Sequence, residues 1–299
     1  MKANKLGELK AHSASLYALA PGRTSNSIFS AGADKVVAEW NLETQETNPF
    51  AIRTESVVYS LQKLNHLLAI GTGTGHINII DTHAKAEIKN LKVHEGKVFF
   101  LEKHPTENWL YSCGEDGLVC VWDINSWDLL WKLKFSTAKI RRIAFDRNGS
   151  LAAIACGDGS VKIIEATQQR ILFDLDAHQE SSNSVCFLPN GNLISGGKDA
   201  YLRIWDKSNG FSLQKEIPAH NFAIYDIVLS PTQKWMATVS RDKTIKIWDT
   251  KNIETPLRLD RAKSKAHLNS VNVAIWLQEE DLLATASDDR SVMLWKVEA

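Results

Sequence analysis

The sequence predicts an all-β fold, a seven-bladed β-propeller of four-stranded antiparallel blades, from three observations. Seven short segments recur about every 42 residues, and five of them end in tryptophan. The stretches between them alternate apolar and polar residues, as half-buried strands do. A polar pattern recurs with the same period. Repeats of this length must bury their apolar faces against their neighbours, which is typical of closed or stacked repeat folds.

The recurring segments end at equivalent positions along the whole chain. These positions are Trp40, Ile80, Trp122, Ile164, Trp205, Trp248 and Trp295. Within the unit from His220 to Asp249, AIYDIVLS, WMATVS and TIKIWD are interpreted as three strands separated by turns, and a fourth strand is expected near LRLDRAK. Four antiparallel strands in each of seven units are typical of propeller blades.

Four polar residue types recur in five of the seven units. An aspartate lies six residues before the terminal tryptophan, a hydroxyl residue lies four residues before that aspartate, and a histidine lies 21 or 22 residues before it. Indole can donate to hydroxyl, hydroxyl to imidazole and imidazole to carboxylate, so each buried group satisfies the next. We call each set a relay. The five relays are His12, Ser30, Asp34 and Trp40; His94, Ser112, Asp116 and Trp122; His178, Ser195, Asp199 and Trp205; His220, Thr238, Asp242 and Trp248; and His267, Thr285, Asp289 and Trp295.

The second and fourth units lack the relay. Isoleucine replaces the tryptophan (Ile80, Ile164) and the hydroxyl residue (Ile70, Ile154), and the histidine is missing as well. A half-satisfied buried network costs more than an apolar one, so its members are expected to disappear together. Asp158 remains alone, which an Asx turn would explain. The relays are therefore predicted to be structural. No catalytic residue is assigned. An acyl-transfer enzyme needs one such set of side chains beside an oxyanion hole, whereas here the set recurs five times with the period of the repeat.

These residues resemble the WD-repeat β-propeller family over residues 5–299. The Trp-Asp dipeptide stands at Trp122-Asp123, Trp205-Asp206 and Trp248-Asp249, whereas Trp40-Asn41 and Trp295-Lys296 depart from it. The family's Gly-His dipeptide is Ala-His or Val-His here. These departures leave the relay side chains unchanged, so the spacing, repeated five times, carries the resemblance.

The resemblance implies that the N-terminal strand completes the last blade. Only four residues follow Trp295, which leaves no room for a fourth strand in the seventh unit. Residues 5–11 stand before the first histidine, where a fourth strand belongs, and are expected to be the outer strand of the last blade. Closure protects sheet edges that an open array would expose. Residues 1–299 are therefore predicted to form a single propeller domain.

The resemblance also implies a binding face at the channel entrance, lined from three positions of each unit. These lie three and five residues after the histidine and one residue before the aspartate; in unit two this counting gives Glu55 and Val57. The predicted partner-binding residues are Tyr17, Lys97, Phe99, Lys139, Arg141, Lys198, Tyr225 and Arg241. The cations of units three to six face one acid of the set, Glu115. Aromatic residues together with arginine are typical of interface hot spots, and the basic charge favours an acidic or phosphorylated segment. The alternative is that these residues are ordinary solvated charges around the channel.

Composition narrows the classes of function. The 35 basic and 35 acidic residues cancel, so non-specific nucleic-acid or membrane attraction is not favoured. The four cysteines form no C-x-x-C pair and are interpreted as buried apolar residues (Cys113, Cys120, Cys156, Cys186). The chain has neither an apolar leader nor a long apolar run. A cytoplasmic protein with no metal, no cofactor and no membrane partner is predicted.

Two local motifs invite a functional interpretation. The glycines of Gly71-Thr72-Gly73-Thr74-Gly75 could hold phosphate, but HINIID after them is a strand rather than a helix, so a tight turn is favoured. Trp127 and Trp131 are expected to pack on an outer strand, with an exposed contact patch as the alternative.

The sequence therefore favours a non-catalytic protein–protein interaction scaffold that binds a protein or peptide partner. Two alternatives stay open. One is a propeller-type hydrolase or lactonase, which needs acids or metal ligands that converge on the channel. The other is an RNA- or ribosome-associated module, which the basic half of the face would serve.

Overall fold

The computed structural model describes residues 1–277 and 281–298. These residues form 28 strands in seven four-stranded antiparallel sheets, which confirms the predicted seven-bladed propeller. The first strand is β1 (Lys2–Lys10). Blade one is β2 (Leu16–Pro21), β3 (Ser27–Gly32), β4 (Val36–Asn41) and β5 (Thr47–Arg53). Blade two is β6 (Val58–Leu64), β7 (Leu67–Thr72), β8 (His76–Asp81) and β9 (Ala86–Lys92).

The middle blades repeat this order. Blade three is β10 (Val98–Lys103), β11 (Trp109–Gly114), β12 (Leu118–Asp123) and β13 (Leu129–Lys134). Blade four is β14 (Ile140–Phe145), β15 (Leu151–Cys156), β16 (Ser160–Glu165) and β17 (Arg170–Asp176). Blade five is β18 (Ser182–Phe187), β19 (Leu193–Gly197), β20 (Tyr201–Asp206) and β21 (Ser212–Pro218), with a 3-10 turn at Lys207–Asn209.

The last two blades contain the only α-helical turn among the described residues. Blade six is β22 (Ile224–Leu229), β23 (Trp235–Ser240), β24 (Ile245–Asp249) and β25 (Asn252–Leu259), followed by α1 (Arg261–Ser264). Blade seven is β26 (Val271–Leu277), β27 (Leu282–Ser287), β28 (Ser291–Glu298) and β1.

The first strand of the chain completes the last blade, as the sequence predicted. Strand β1 pairs antiparallel with β28, with Lys5 opposite Trp295 and Lys2 opposite Glu298. The ammonium of Lys2 lies 2.8 Å from the Glu298 carboxylate. The strand spans residues 2–10 rather than the predicted 5–11, because pairing with β28 extends to its end.

The chain divides into two compact units, residues 1–58 with 220–299, and residues 59–219. The first unit holds blades one, six and seven, and its buried side chains include Trp40, Trp248 and Trp295. The second unit holds blades two to five, and its core is formed by buried aliphatic and aromatic side chains between successive sheets. A single domain over residues 1–299 stays a prediction, and Ala299 lies outside the described residues.

The turn between the second and third strands has one backbone feature in every blade. The residue after the relay aspartate position adopts a positive φ; these residues are Lys35, Gly75, Gly117, Gly159, Ala200, Lys243 and Arg290. At Gly75 glycine is also needed for space, because a Cβ there would lie 1.9 Å from the carbonyl oxygen of His94. The Gly71–Gly75 segment is therefore a strand end and a turn, as the sequence favoured.

Candidate partner-binding site

The structure brings the four side chains of each relay into one hydrogen-bonded chain. In blade one, the Trp40 indole donates to Ser30 Oγ at 2.7 Å, Ser30 Oγ lies 2.7 Å from His12 Nε2, and His12 Nδ1 lies 2.7 Å from Asp34. In blade six the corresponding distances are 3.0, 2.8 and 3.0 Å. A histidine that donates from Nδ1 and accepts at Nε2 satisfies every member.

The relay aspartates also accept hydrogen bonds from the backbone. Asp242 Oδ2 accepts from Asn221 N at 3.0 Å, and its Oδ1 accepts from Thr244 N at 2.9 Å. The carboxylate therefore joins the loop before the first strand to the turn before the third. Loops that carry binding residues are held in this way on a rigid frame.

Hydrogen bonds set the ionisation of these carboxylates. Burial alone would raise the pKa of Asp199, but hydrogen bonds from His178 and Arg203 outweigh it and lower the pKa to about 2. In blade six, burial lowers the pKa of His220 against the opposing effect of Asp242. In blade six, where the pKa of Asp242 is also lowered, the relay is therefore an ionised carboxylate beside a neutral imidazole at neutral pH.

Blade four keeps a remnant of the relay that the sequence interpretation missed. Ser136 takes the histidine position, and its Oγ donates to Asp158 at 2.5 Å. Asp158 also accepts from Ser160 N at 3.0 Å, which is the Asx turn predicted for it. Asp158 is thus not alone. Serine at position 136 was visible in the sequence, 22 residues before Asp158, but a hydroxyl was not considered there.

Five predicted partner-binding residues lie in the second unit, and aromatic contacts or the electrostatic effect of one charge on another link all five. We define the basic–aromatic cluster as Tyr59, Lys97, Phe99, Lys139, Arg141 and Lys198, with the acids Glu115 and Glu180. The Arg141 guanidinium lies 4.7 Å from the centre of the Phe99 ring. The Lys97 ammonium lies 5.9 Å from the ring centres of both Phe99 and Tyr59. The two rings meet edge to face at 5.7 Å.

Tyr59 enters this cluster because the sequence count was wrong in blade two. The first strand begins four residues after the histidine position in other blades, as Val98 does after His94, and β6 begins at Val58. The histidine position of blade two is therefore Thr54 rather than residue 52. The entrance positions become Val57 and Tyr59 instead of Glu55 and Val57. The hairpin between β6 and β7 is shorter than its counterparts, which displaced the count.

Two of the cations are neutralised by carboxylates. Lys97 Nζ lies 2.7 Å from Glu115 Oε1, and this contact raises the pKa of Lys97 and lowers that of Glu115. Lys198 forms an ion pair with Glu180. Glu180 was absent from the predicted set, in which Glu115 was the single acid, because it lies two rather than three residues after His178.

Lys139 differs from these two lysines. Its half-buried side chain has no hydrogen bond or ion pair among the described residues. Burial lowers its pKa, and the charges of Arg141, Lys198 and Lys97 lower it further against the opposing effect of Glu115. Its stem passes over Gly157, where a Cβ would lie 2.7 Å from Lys139 Cγ. The ammonium is therefore held among other cations.

The remaining three predicted residues lie in the first unit. Tyr17 and Tyr225 are half-buried, and Arg241 is exposed. The Arg241 guanidinium lies 5.9 Å from the ring centre of Phe222, which is 58% exposed. Phe222 was missed because it lies two residues after His220, outside the three positions considered.

The other candidate groups are accounted for by packing. Burial raises the pKa of Cys120 and Cys156 to about 12, so both are protonated thiols. Trp127 is buried in an apolar cluster with Trp122. The half-buried Trp131 meets Trp109 edge to face at 5.5 Å. Packing therefore accounts for both tryptophans: Trp131 lies on the outer strand β13 as predicted, whereas Trp127 lies in the turn before that strand.

Across residues 1–277 and 281–298, no three histidine, cysteine, aspartate or glutamate side chains are grouped so that they could bind a metal ion. Within the same residues, no helix has the length and apolar character needed to cross a bilayer.

Seven four-stranded blades with a Trp–hydroxyl–His–Asp chain in five of them define a repeat propeller. Comparison with known families agrees. The model of the WD domain, G-beta repeat, matches residues 85–123, 211–249 and 261–296. The model of the Anaphase-promoting complex subunit 4 WD40 domain matches residues 105–188. The chain belongs to the WD-repeat β-propeller family, whose members act as interaction scaffolds in larger complexes.

Individual relatives are distant. Protein transport protein SEC13-2 of Candida glabrata is 27% identical over 70% of this chain and 80% of the relative. U3 small nucleolar RNA-associated protein 21 of Saccharomyces cerevisiae is 26% identical over 63% of this chain but 21% of the relative. The U3 small nucleolar RNA-associated protein 15 homolog of Xenopus tropicalis is 24% identical over 66% of this chain and 38% of the relative. The chain thus spans well under half of the latter two.

The names of these relatives contradict the predicted cytoplasmic location, so that prediction is wrong. Two of them are named for a small nucleolar RNA, which points to the nucleus or nucleolus. The prediction rested on the absence of an apolar leader in this sequence, a property that does not distinguish cytoplasmic from nuclear proteins. The same names leave a role for nucleic acid open, which the charge balance had disfavoured.

Proposed function

We propose that the protein is a non-catalytic scaffold whose basic–aromatic cluster binds an acidic segment of a protein partner. The observation that carries this proposal is the packing of Arg141 on Phe99 at 4.7 Å, with Lys97 near the same ring. Aromatic residues with arginine make up the energetic centres of interfaces. Here the guanidinium is already ordered against the ring, so binding costs less side-chain entropy.

The relays support this function indirectly. Each fixes the loop before a first strand, and Lys97 and Phe99 follow His94 by three and five residues. His94 Nδ1 lies 3.1 Å from Asp116, which also accepts from Glu95 N at 2.9 Å. The binding side chains therefore extend from a backbone with few alternative conformations.

A capture experiment tests the proposal. The full chain is immobilised, exposed to an extract of cells that express it, and the retained proteins are quantified by mass spectrometry. Combining Arg141→Glu with Lys198→Glu, two changes within the cluster, is expected to deplete the specific partners at least fivefold. Unchanged retention would overturn the proposal.

The matched control makes the same change of charge elsewhere. Lys89→Glu with Lys92→Glu alters two exposed lysines at the outer strand β9. This variant is expected to retain the partners of the wild-type chain. Equal losses in both variants would mean that net charge, rather than this cluster, governs retention.

RNA binding is the second candidate, because two relatives are named for association with a small nucleolar RNA and the cluster is basic. A gel shift with a single-stranded oligonucleotide tests it. Binding that weakens by about a hundredfold or more when salt rises from about 50 to 200 mM, and that Arg141→Glu removes, would support it.

A further inference from the structure

The outer strands of blades three and four expose more apolar side chains than the other outer strands. An outer strand is the last in the order of its sheet, so no strand of that sheet pairs with its outer side. Strand β13 exposes three large apolar side chains, β17 exposes two, and no other outer strand within residues 1–277 and 281–298 exposes more than one. The five are Leu129, Leu130, Leu133, Ile171 and Phe173. A strand edge of this kind can accept a further strand.

The remaining outer strands have features that hinder such pairing. Strands β5 and β25 contain Pro49 and Pro256, and β21 ends at Pro218. Proline has no backbone N–H to donate to a neighbouring strand. Strands β1 and β9 consist mainly of polar residues, with lysine prominent in both, and edge lysines discourage pairing. Strands β13 and β17 contain no proline.

Strands β13 and β17 carry opposite charges at matching positions. In β13 one leucine separates Lys132 from Lys134, and in β17 one leucine separates Asp174 from Asp176. When these two leucines are placed opposite each other, each lysine stands opposite an aspartate, whether the strands run parallel or antiparallel. Opposite charges at facing strand positions stabilise a sheet, and like charges destabilise it.

We propose that β13 of one copy of this chain pairs with β17 of a second copy, so that the protein self-associates edge to edge. The same charges disfavour the pairing of like strands. Two copies of β13 would place lysine against lysine, and two copies of β17 would place aspartate against aspartate. Because the contact joins unlike edges, each bound copy keeps its other edge, and assemblies larger than a dimer can form.

The charged side chains are available for this contact. Lys134 and Asp176 are exposed and form no ion pair among the described residues. Lys132 is exposed as well, and its ammonium has only a long contact, 3.5 Å, with a backbone carbonyl oxygen. Asp174 Oδ2 lies 2.5 Å from Lys162 Nζ, but the Asp174 side chain remains 55% exposed. Pairing of two copies therefore need not break an ion pair.

The contact is small, because β13 has six residues and β17 has seven. An interface of this size lies at the low end of specific interfaces, so the association is weak and depends on protein concentration. Main-chain hydrogen bonds between the two edges supply affinity, and the facing charges select the partner strand.

Sedimentation velocity of the full chain over a wide range of concentrations tests the proposal. The mean mass is expected to rise with concentration. A chain that stays monomeric at every concentration would overturn the proposal.

Charge reversal identifies the two strands. Lys132→Asp with Lys134→Asp makes both edges acidic, and Asp174→Lys with Asp176→Lys makes both edges basic. Each variant alone is expected to associate at least about tenfold more weakly than the wild type, because like charges face each other. An equimolar mixture of the two variants places lysine opposite aspartate again and is expected to associate about as well as the wild type. A mixture that associates no better than its components would overturn the pairing of β13 with β17.

The control makes the same change on another outer strand. Lys89→Asp with Lys92→Asp on β9 is expected to associate like the wild type. Thermal melting shows that each variant is folded. Asp174→Asn with Asp176→Asn removes the acidic charges without placing a lysine beside Lys162, and it is expected to weaken the association several-fold. Undiminished association of this folded variant contradicts the assignment.

This inference goes beyond the proposed function, and the two fail separately. Neither β13 nor β17 contributes a residue to the basic–aromatic cluster. Arg141→Glu with Lys198→Glu is therefore expected to lose the captured partners while it self-associates like the wild type. Loss of self-association in that variant would place the contact at the cluster and overturn the pairing of the two edges.

Discussion

Blade six and blade four reach the same sheet architecture with opposite interiors. In blade six, Trp248 Nε1, Thr238 Oγ1 and His220 form a chain of hydrogen bonds that ends at Asp242. In blade four, Ile164 and Ile154 occupy the tryptophan and hydroxyl positions, and both are fully buried. The four-stranded sheet forms in both, so the relay is not required for a blade to fold.

The difference shows that the tryptophan, hydroxyl residue and histidine of a relay are replaced together rather than one at a time. No buried side-chain nitrogen or oxygen among the described residues lacks a hydrogen-bond partner. A blade that kept Thr238 without the histidine would break this rule, and a blade with two isoleucines obeys it. Blade four keeps only the Ser136–Asp158 pair, which lies at the turn rather than in the interior.

Deletion of residues 1–11 has the largest expected effect, because it separates the relay from strand pairing. It leaves the blade-seven relay complete but removes β1 and its pairing with β28. We expect an unfolded or aggregated protein, since β28 becomes an exposed edge. Circular dichroism and size-exclusion chromatography measure this outcome. A truncated chain that melts like the full one would show that closure by β1 is dispensable.

His220→Leu is expected to lower the free energy of unfolding by about 3 kcal/mol. The change deprives Thr238 and Asp242 of a buried partner, while the side-chain volume stays similar. Urea unfolding measures the loss. The matched change in blade four, Ser136→Leu, should cost less, because Ser136 serves one carboxylate at a turn.

Exchange of the whole set in blade six sharpens the comparison. His220→Ser, Thr238→Ile and Trp248→Ile together reproduce the residues of blade four. The combined loss should be smaller than the sum of the three single losses by about 2 kcal/mol, since no half-satisfied network remains. Additive losses in urea unfolding would mean that the relay members do not act as a group.

The pH dependence of stability follows from Asp199. Its pKa in the folded chain, about 2, lies below the ordinary value of 3.8, so the folded state binds this proton less readily than the unfolded state. The carboxylate therefore contributes about 2 kcal/mol at neutral pH, and this contribution disappears as pH falls from about 4 to about 2. Asp199→Asn should be destabilising at pH 7, and the gap to wild type should narrow over that interval. A constant gap would contradict the assignment.

Ser136→Ala in blade four has the smallest expected effect, about 1 kcal/mol. It removes one hydrogen bond to Asp158 but leaves the contacts of Asp158 with Ser160. Thermal melting measures the loss. A loss as large as that of His220→Leu would mean that the remnant pair stabilises blade four as a full relay does.

The period of the repeat was enough to predict the blades, because strand alternation and turn residues are local properties of the sequence. It also predicted which strand completes blade seven, although the pairing extends to Lys2. The partner-binding residues were harder to place. Counting from histidine fails where the hairpin length changes, as it did for Tyr59, and ion partners such as Glu180 depend on side-chain direction in three dimensions.

The positive φ after each relay aspartate marks positions at which substitution could make the folded protein more stable. Lys35, Lys243 and Arg290 hold exposed side chains on left-handed backbone, where glycine stands in blades two to four. Steric crowding at such a residue costs roughly 1 kcal/mol. Replacement by glycine would recover this amount, reduced by the free-energy cost of the greater freedom that glycine has in the unfolded chain. Introducing glycine at these three turns would thus raise the melting temperature without changing any relay residue or predicted partner-binding residue.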